Sequence, residues 1–288
     1  MLDYRNLIIF LLILALFLGA TVEISEGSIL IGIILFVVIA ILISRVRITG
    51  AGVETAQLRP GYRIIVGSLI LLIDIVYNVK TGSKLGTLDV MTFFLGSSLI
   101  AQDLGRENIQ KMGIFGTYMS AVFIMLFLIF FSLFNYLNID FMHVFDHYFV
   151  MLPSVFIIRA FGVPVQVISR ETVRIQGVED MDVVIGGPCS GLYSMFLLIA
   201  TIVAYTRVEV VERKTALLLL AIAVVVAYIA NLVRVSILYT VGFLYGNEVM
   251  MFVHAHLGWM IFVVVVMLFL STLNRLSRPQ PNKKHDKK

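Results

Sequence analysis

Cys189 is the only cysteine among 288 residues. It stands in Gly186-Gly187-Pro188-Cys189-Ser190-Gly191, directly before an apolar run from Leu192 to Tyr205. Pro188 suits the first turn of a helix, where its missing N–H costs nothing. A cysteine placed there meets unpaired N–H groups at the positive end of a helix dipole, which favours thiolate over thiol. Most lone cysteines pack as small hydrophobes, so a nucleophile needs partners. Arg234 is one candidate, in Asn231-Leu232-Val233-Arg234 within an otherwise apolar stretch. An arginine in such a helix costs at least about 2.5–3.5 kcal/mol at a bilayer centre and usually faces a bundle interior. The structural alternative is a snorkelling anchor, or an ion pair with Asp74 or Glu248. Asn231, three residues earlier, shares its helical face. His254 and His256 supply a proton carrier, in His254-Ala255-His256-Leu257-Gly258-Trp259. Two residues apart, they point about 200° from each other on a helix, so at most one faces Cys189.

These types fit acyl transfer. A thiolate attacks a carbonyl, passes through a tetrahedral intermediate and forms a thioester. Histidine takes the thiol proton and returns it to the leaving amine. A guanidinium holds the oxyanion or the substrate backbone and keeps its charge. Water then gives a protease, another nucleophile a transpeptidase. Ser190 and Tyr193, beside and one turn after the cysteine, are candidates to orient thiol or substrate, although packing explains Tyr193 as well. A serine nucleophile at Ser190 lacks its Gly-x-Ser-x-Gly setting. The chemistry calls for no cofactor and no metal.

The elements that must position these residues are membrane helices. The chain is 60% hydrophobic and 14% charged, with a mean hydropathy of +0.99, which excludes an ordinary soluble domain. Apolar runs predict an all-α polytopic protein with about eight spans, at 7–22, 28–43, 63–79, 88–102, 113–134, 189–206, 214–241 and 252–272. The first run has no small-residue cleavage site, so no removable signal peptide is expected. Most lysines and arginines fall on one set of alternate connections, which places both termini in the cytoplasm. The net charge of +4 therefore reflects topology and predicts no nucleic-acid partner. One transmembrane domain, 1–272, is expected, with a basic solvated tail at 273–288.

The long connection, 135–188, falls outside the membrane. Its part from Phe141 to Phe161 is apolar but broken by His143, Asp146, His147, Pro153 and Arg159, and reads as an interfacial or re-entrant helix. The part from Val163 to Gly186 carries three β-branched clusters separated by polar turns, and predicts a small extracytoplasmic sheet leading to Cys189. With alternating spans, Cys189, Arg234 and His254/His256 all converge on one outer face.

Pro188-Cys189-Ser190-Gly191, Asn231-Leu232-Val233-Arg234 and His254 ahead of Gly258-Trp259 together resemble the exosortase/archaeosortase family, over roughly residues 110 to 272. The chain lacks the extra C-terminal domain of some bacterial exosortases, which favours the archaeal branch. The resemblance implies an eight-span membrane cysteine enzyme with Cys189 as nucleophile, Arg234 stabilising the intermediate or substrate, and His254 as proton carrier, with His256 a second candidate. It implies that the substrates are surface proteins bearing a C-terminal tripartite sorting signal: a Pro-containing motif, a transmembrane helix and a basic cluster. Cleavage near the motif would transfer the new C-terminus to a lipid or other anchor, at an outward-facing site in the cell membrane.

Two other classes compete. His143, Asp146, His147, His254 and His256 fall on the outer side, and such residues could bind a metal in a membrane hydrolase or metal transporter. The His143–His147 pair lacks the glutamate of a His-Glu-x-x-His site, and interfacial anchoring explains it as well. A transporter without chemistry predicts paired, broken spans in two related halves, which the sequence does not display.

Overall fold

The computed structural model describes residues 12–13, 16, 19–20, 29–45, 61–82, 86–104, 107–184, 190–208 and 211–276. Helices dominate. We label them α1 (Ile29–Arg45), α2 (Tyr62–Thr81), α3 (Thr87–Gln102) and α4 (Glu107–Phe127), which continues through a π-helical turn, Leu128–Leu133, to Tyr136. Then come α5 (Phe141–Ala160), also carrying a π turn, and α6 (Leu192–Val208). The last helical stretch, Arg213–Leu276, is broken at Gly246, where φ is 82° and ψ is −177°. We treat its halves, 213–245 and 247–276, as α7 and α8.

Among the described residues, four helical stretches are long and apolar enough to cross a membrane: Tyr62–Thr81, Ile109–Tyr136, Phe141–Ala160 and Arg213–Val265. Leu30–Ile39 and α6 are shorter apolar helices. The expected span 7–22 lies largely outside the described residues. The helix at the C-terminal end reaches Leu276, beyond the expected boundary of the tail at 273.

Small residues bring α2, α3 and α4 together. A Cβ on Gly67 would meet the Gly96 carbonyl at 2.6 Å, and one on Gly113 would meet the Ser98 carbonyl at 2.7 Å. Without a hydrophobic drive between helices in lipid, such close backbone approach is what packing rewards. The main core then forms where α4, α6, α7 and α8 meet, around Met119, Phe123, Phe196, Leu198, Ala227 and Phe262. Most of α6 is buried, so this 17-residue helix is the centre of the bundle rather than its wall.

The expected sheet is present. β1 (Val165–Val167), β2 (Thr172–Gln176) and β3 (Asp180–Val184) form an antiparallel meander in the order β1-β2-β3. The period of two puts Val173 and Ile175 inward, against Val235 and Tyr239 of α7 and Val155 and Ile158 of α5. Arg174 and Asp182 pair across the exposed face, Nε to Oδ1 at 2.7 Å. Hydrogen bonds from Arg174 hold the Asp182 carboxyl below the usual carboxylate range.

Candidate active site

The site is built on the entry to α6. Cys189 and the four residues before it lie outside the described residues. The next residue, Ser190, is buried, and its carbonyl accepts a hydrogen bond from Asn231 Nδ2 at 2.8 Å. The Leu192 N–H donates to Ser190 Oγ at 3.4 Å. Gly191 has φ of +80°, and a Cβ there would stand 2.4 Å from Cγ of Asn231. Glycine is required both by this backbone conformation and by Asn231. Helix α6 therefore begins at Leu192, not at Pro188 as the sequence suggests, because positive φ at Gly191 is not helical.

One turn after Asn231, Arg234 reaches across to α8. A Cβ on Gly258 would lie 3.2 Å from both Cζ and Nη2 of Arg234, so the guanidinium rests on bare backbone. Residues 254 and 258 are four apart and share a helical face, which puts His254 one turn from that guanidinium along α8. His256 belongs to a different face. Its ring meets Phe252 edge-on with centroids 4.5 Å apart, and Phe252 is 67% exposed, so this pair looks away from Gly258.

Between the helices lies a small cavity, about 20 Å³, lined by Ser194 and Leu198 of α6, Asn231 and Arg234 of α7 and Phe262 of α8. That is room for about one water molecule. Tyr193 stacks on Phe127 and Phe131, at 5.9 and 5.2 Å between centroids, and Phe196 packs on Phe130 at 5.2 Å. Packing thus accounts for Tyr193. A Cβ on Gly19 would touch the Trp259 ring at 3.0 Å, so the backbone at Gly19 packs directly on Trp259.

His143 and His147 stand elsewhere. His143 pairs with Glu171, and His147 Nδ1 lies 2.8 Å from the Arg170 carbonyl, both tying α5 to the β1–β2 turn. Among the described residues, no three of His, Cys, Asp and Glu gather in a way that holds a metal ion, so the metal reading gains no support.

One contact was not legible in the sequence. The β2–β3 turn docks on the break between α7 and α8. The Val178 N–H donates to the Phe243 carbonyl at 3.1 Å, and the Asn247 N–H donates to Glu179 Oε2 at 3.2 Å. The turn thereby satisfies a carbonyl at the end of one helix and an amide at the start of the next, and puts a carboxylate at the positive end of α8. Without that fold, Glu179 is indistinguishable from any acidic turn residue.

Comparison with curated proteins and with solved structures gave no match. Comparison with family models matched the one described as Transmembrane exosortase (Exosortase_EpsH) over residues 55–271. That interval contains α2 to α7, most of α8, the sheet, Cys189 and both motifs that meet at Gly191 and Gly258. The chain, a multi-pass membrane protein, belongs to the transmembrane exosortase family.

Proposed function

We propose that this protein is a membrane cysteine protease-transpeptidase that removes the C-terminal sorting signal of surface proteins and passes the new C-terminus to a lipid or other anchor. Cys189 is the nucleophile, Arg234 binds the oxyanion or the substrate backbone, and His254 carries the proton. Asn231 fixes the chain beside the nucleophile, and Ser190 is part of that fixture. The observation that carries the reading is the pair of contacts made by one face of α7. Asn231 holds the carbonyl of the residue after Cys189, while Arg234, one turn on, lies against Gly258 in the histidine motif. A charge kept inside an apolar bundle at that junction has a use in stabilising a tetrahedral intermediate.

His254 is favoured over His256 because it shares the Gly258 face. The topology is eight spans with cytoplasmic termini, the break at Gly246 dividing the last helical stretch into two of them. The reaction proceeds by attack of the Cys189 thiolate on the scissile carbonyl, with its proton held by His254. Collapse of the intermediate breaks the C–N bond, and the same proton leaves on the amine. An acceptor hydroxyl, amine or water then cleaves the thioester and restores the thiol.

The test is processing of a co-expressed surface protein carrying a tripartite sorting signal. Cys189→Ala, Cys189→Ser and Arg234→Ala abolish cleavage while still inserting in the membrane. His254→Ala reduces it by at least about a hundredfold, within the range for loss of a general base, and His256→Ala by less than about threefold. Cleavage by Cys189→Ala at the wild-type rate sinks the cysteine mechanism.

A further inference from the structure

The sheet has two edges, and they are treated differently. Register tells which backbone groups face outward. Ile168 N–H bonds the Thr172 carbonyl, and Gln176 N–H bonds the Pro164 carbonyl, so the even-numbered residues of β2 face β1. The odd ones, Val173 and Ile175, then bond Val183 and Met181 of β3. It follows that Val165 and Val167 point their backbone groups out of the β1 edge, and Asp180, Asp182 and Val184 theirs out of the β3 edge.

The β1 edge is capped at the Val165 carbonyl. Arg159, at the end of α5, donates from Nε and Nη2 to the Val165 carbonyl at 3.0 and 2.6 Å. The β3 edge is open. Among the described residues, the backbone groups of Asp180, Asp182 and Val184 bond nothing, and Val184 is 62% exposed. Folded proteins blunt or cover such rows because they recruit any extended chain. Here the open strand is the last described element before the nucleophile in sequence. Val184 and Cys189 are separated by four residues, at most about 17 Å of chain.

We propose that the free edge of β3 is the docking strand for the substrate, which adds its extended sorting-motif segment beside Asp180–Val184 as a fourth strand. The occupant is a peptide rather than an apolar helix, because what the edge offers is alternating N–H and C=O groups with exposed, partly charged side chains. Main-chain bonds supply affinity, and alternate side chains supply selection. A peptide held this way is already in the extended form that exposes its carbonyl to attack. The proposal rests on the protease reading for the identity of the peptide, but binding at the edge needs no thiol.

The experiment uses the full-length chain with Cys189→Ala in detergent, and a fluorescent peptide covering the Pro-containing motif of the co-expressed surface protein. Val184→Pro deletes one outward N–H and no bond between β2 and β3. It weakens the peptide Kd tenfold or more, whereas Val184→Ala stays within threefold. A second measurement leaves the protein otherwise unchanged and methylates each peptide amide in turn. Alternate positions lose tenfold or more and the intervening ones less than threefold, the period of two that only a paired strand produces. Equal affinities for Val184→Pro and Val184→Ala, or methylation effects without alternation, overturn the docking strand. Cleavage by the chain that retains Cys189 reports separately: a peptide that alternates but is never cut keeps the edge and sinks the protease. One that is cut without alternation does the reverse.

Discussion

At the scale of single residues, the site depends on two glycines as much as on its charged groups. Gly258 gives Arg234 a place to lie. A Cβ there would press on the guanidinium at 3.2 Å, tighter than ordinary van der Waals contact. Gly258→Ala therefore displaces Arg234 by a few tenths of an ångström, and misplacement of that order is costly where charge must be met in the transition state. We expect at least a tenfold loss of processing with the thermal midpoint in detergent nearly unchanged. An unaltered rate would remove Arg234 from the chemistry. Asn231 makes a different prediction. Replaced by alanine it leaves the buried Ser190 carbonyl without its donor, a loss of about 1–3 kcal/mol. Asn231→Asp is worse, because a carboxylate oxygen then faces that carbonyl. Thermal unfolding should rank the wild type above Asn231→Ala and Asn231→Asp, and a reversed order would mean the hydrogen bond contributes nothing. The charged and nucleophilic candidates were legible from residue type, since Cys189 is the single cysteine of the chain and arginine and histidine are rare in lipid. The reasons for Gly191 and Gly258 were not, because a glycine's role is defined by what touches it from another helix.

At the scale of elements, the break at Gly246 sets the geometry. It lies twelve residues after Arg234 and twelve before Gly258. An antiparallel pair folding back on that point brings equidistant residues level, about 18 Å along the axis from the break. The backbone at Gly246 falls in a region that only glycine occupies without strain. Gly246→Ala should cost about 1–3 kcal/mol by that argument, read as a lowered thermal midpoint. Glu179 holds the same corner from outside, and its Oε2 accepts the Asn247 N–H. Glu179→Gln keeps an acceptor and loses only the interaction of the charge with the helix dipole, about 0.3–1 kcal/mol. Glu179→Ala loses both. Activity should therefore fall in the order wild type, Glu179→Gln, Glu179→Ala, with partial rescue by the conservative variant as the mark of a cap. Equal activities in all three would show that α8 needs no cap from the sheet. Periodicity predicted the strands and the last two helices within a few residues, because binary patterning is local. The corner itself is a long-range contact between an unremarkable turn and a helix end, and no pattern announces it.

At the scale of the whole molecule, the orientation of α5 decides how the unit it forms with the sheet sits. Its length and composition allow it to cross a membrane. Its contacts argue for the interface. The Arg170 guanidinium reaches Asp140, just before α5, at 3.3 Å, and His143 pairs with Glu171, so the start of the helix is bound to the β1–β2 turn. Arg159, at the far end, is bound to Val165 in β1 of the same sheet. Both ends of a helix about 30 Å long are thus attached to one small polar sheet. That sheet exposes Gln166, Arg174, Gln176 and Asp182, and a charged, open-edged sheet has no place in hydrocarbon. A spanning α5 would drag one end of the sheet into lipid, so we propose that α5 lies along the membrane surface with the sheet above it. Single cysteines introduced at Asn138 and Gly162 in a Cys189→Ala background check this with a membrane-impermeant maleimide. Both should label in intact cells, and Glu212→Cys, in the connection between α6 and α7, only after permeabilisation. Labelling of Asn138 and Gly162 from opposite sides would make α5 a span. It would also reverse α6 to α8, and with them the side of the membrane that the proposed site of Cys189, Arg234 and His254 faces.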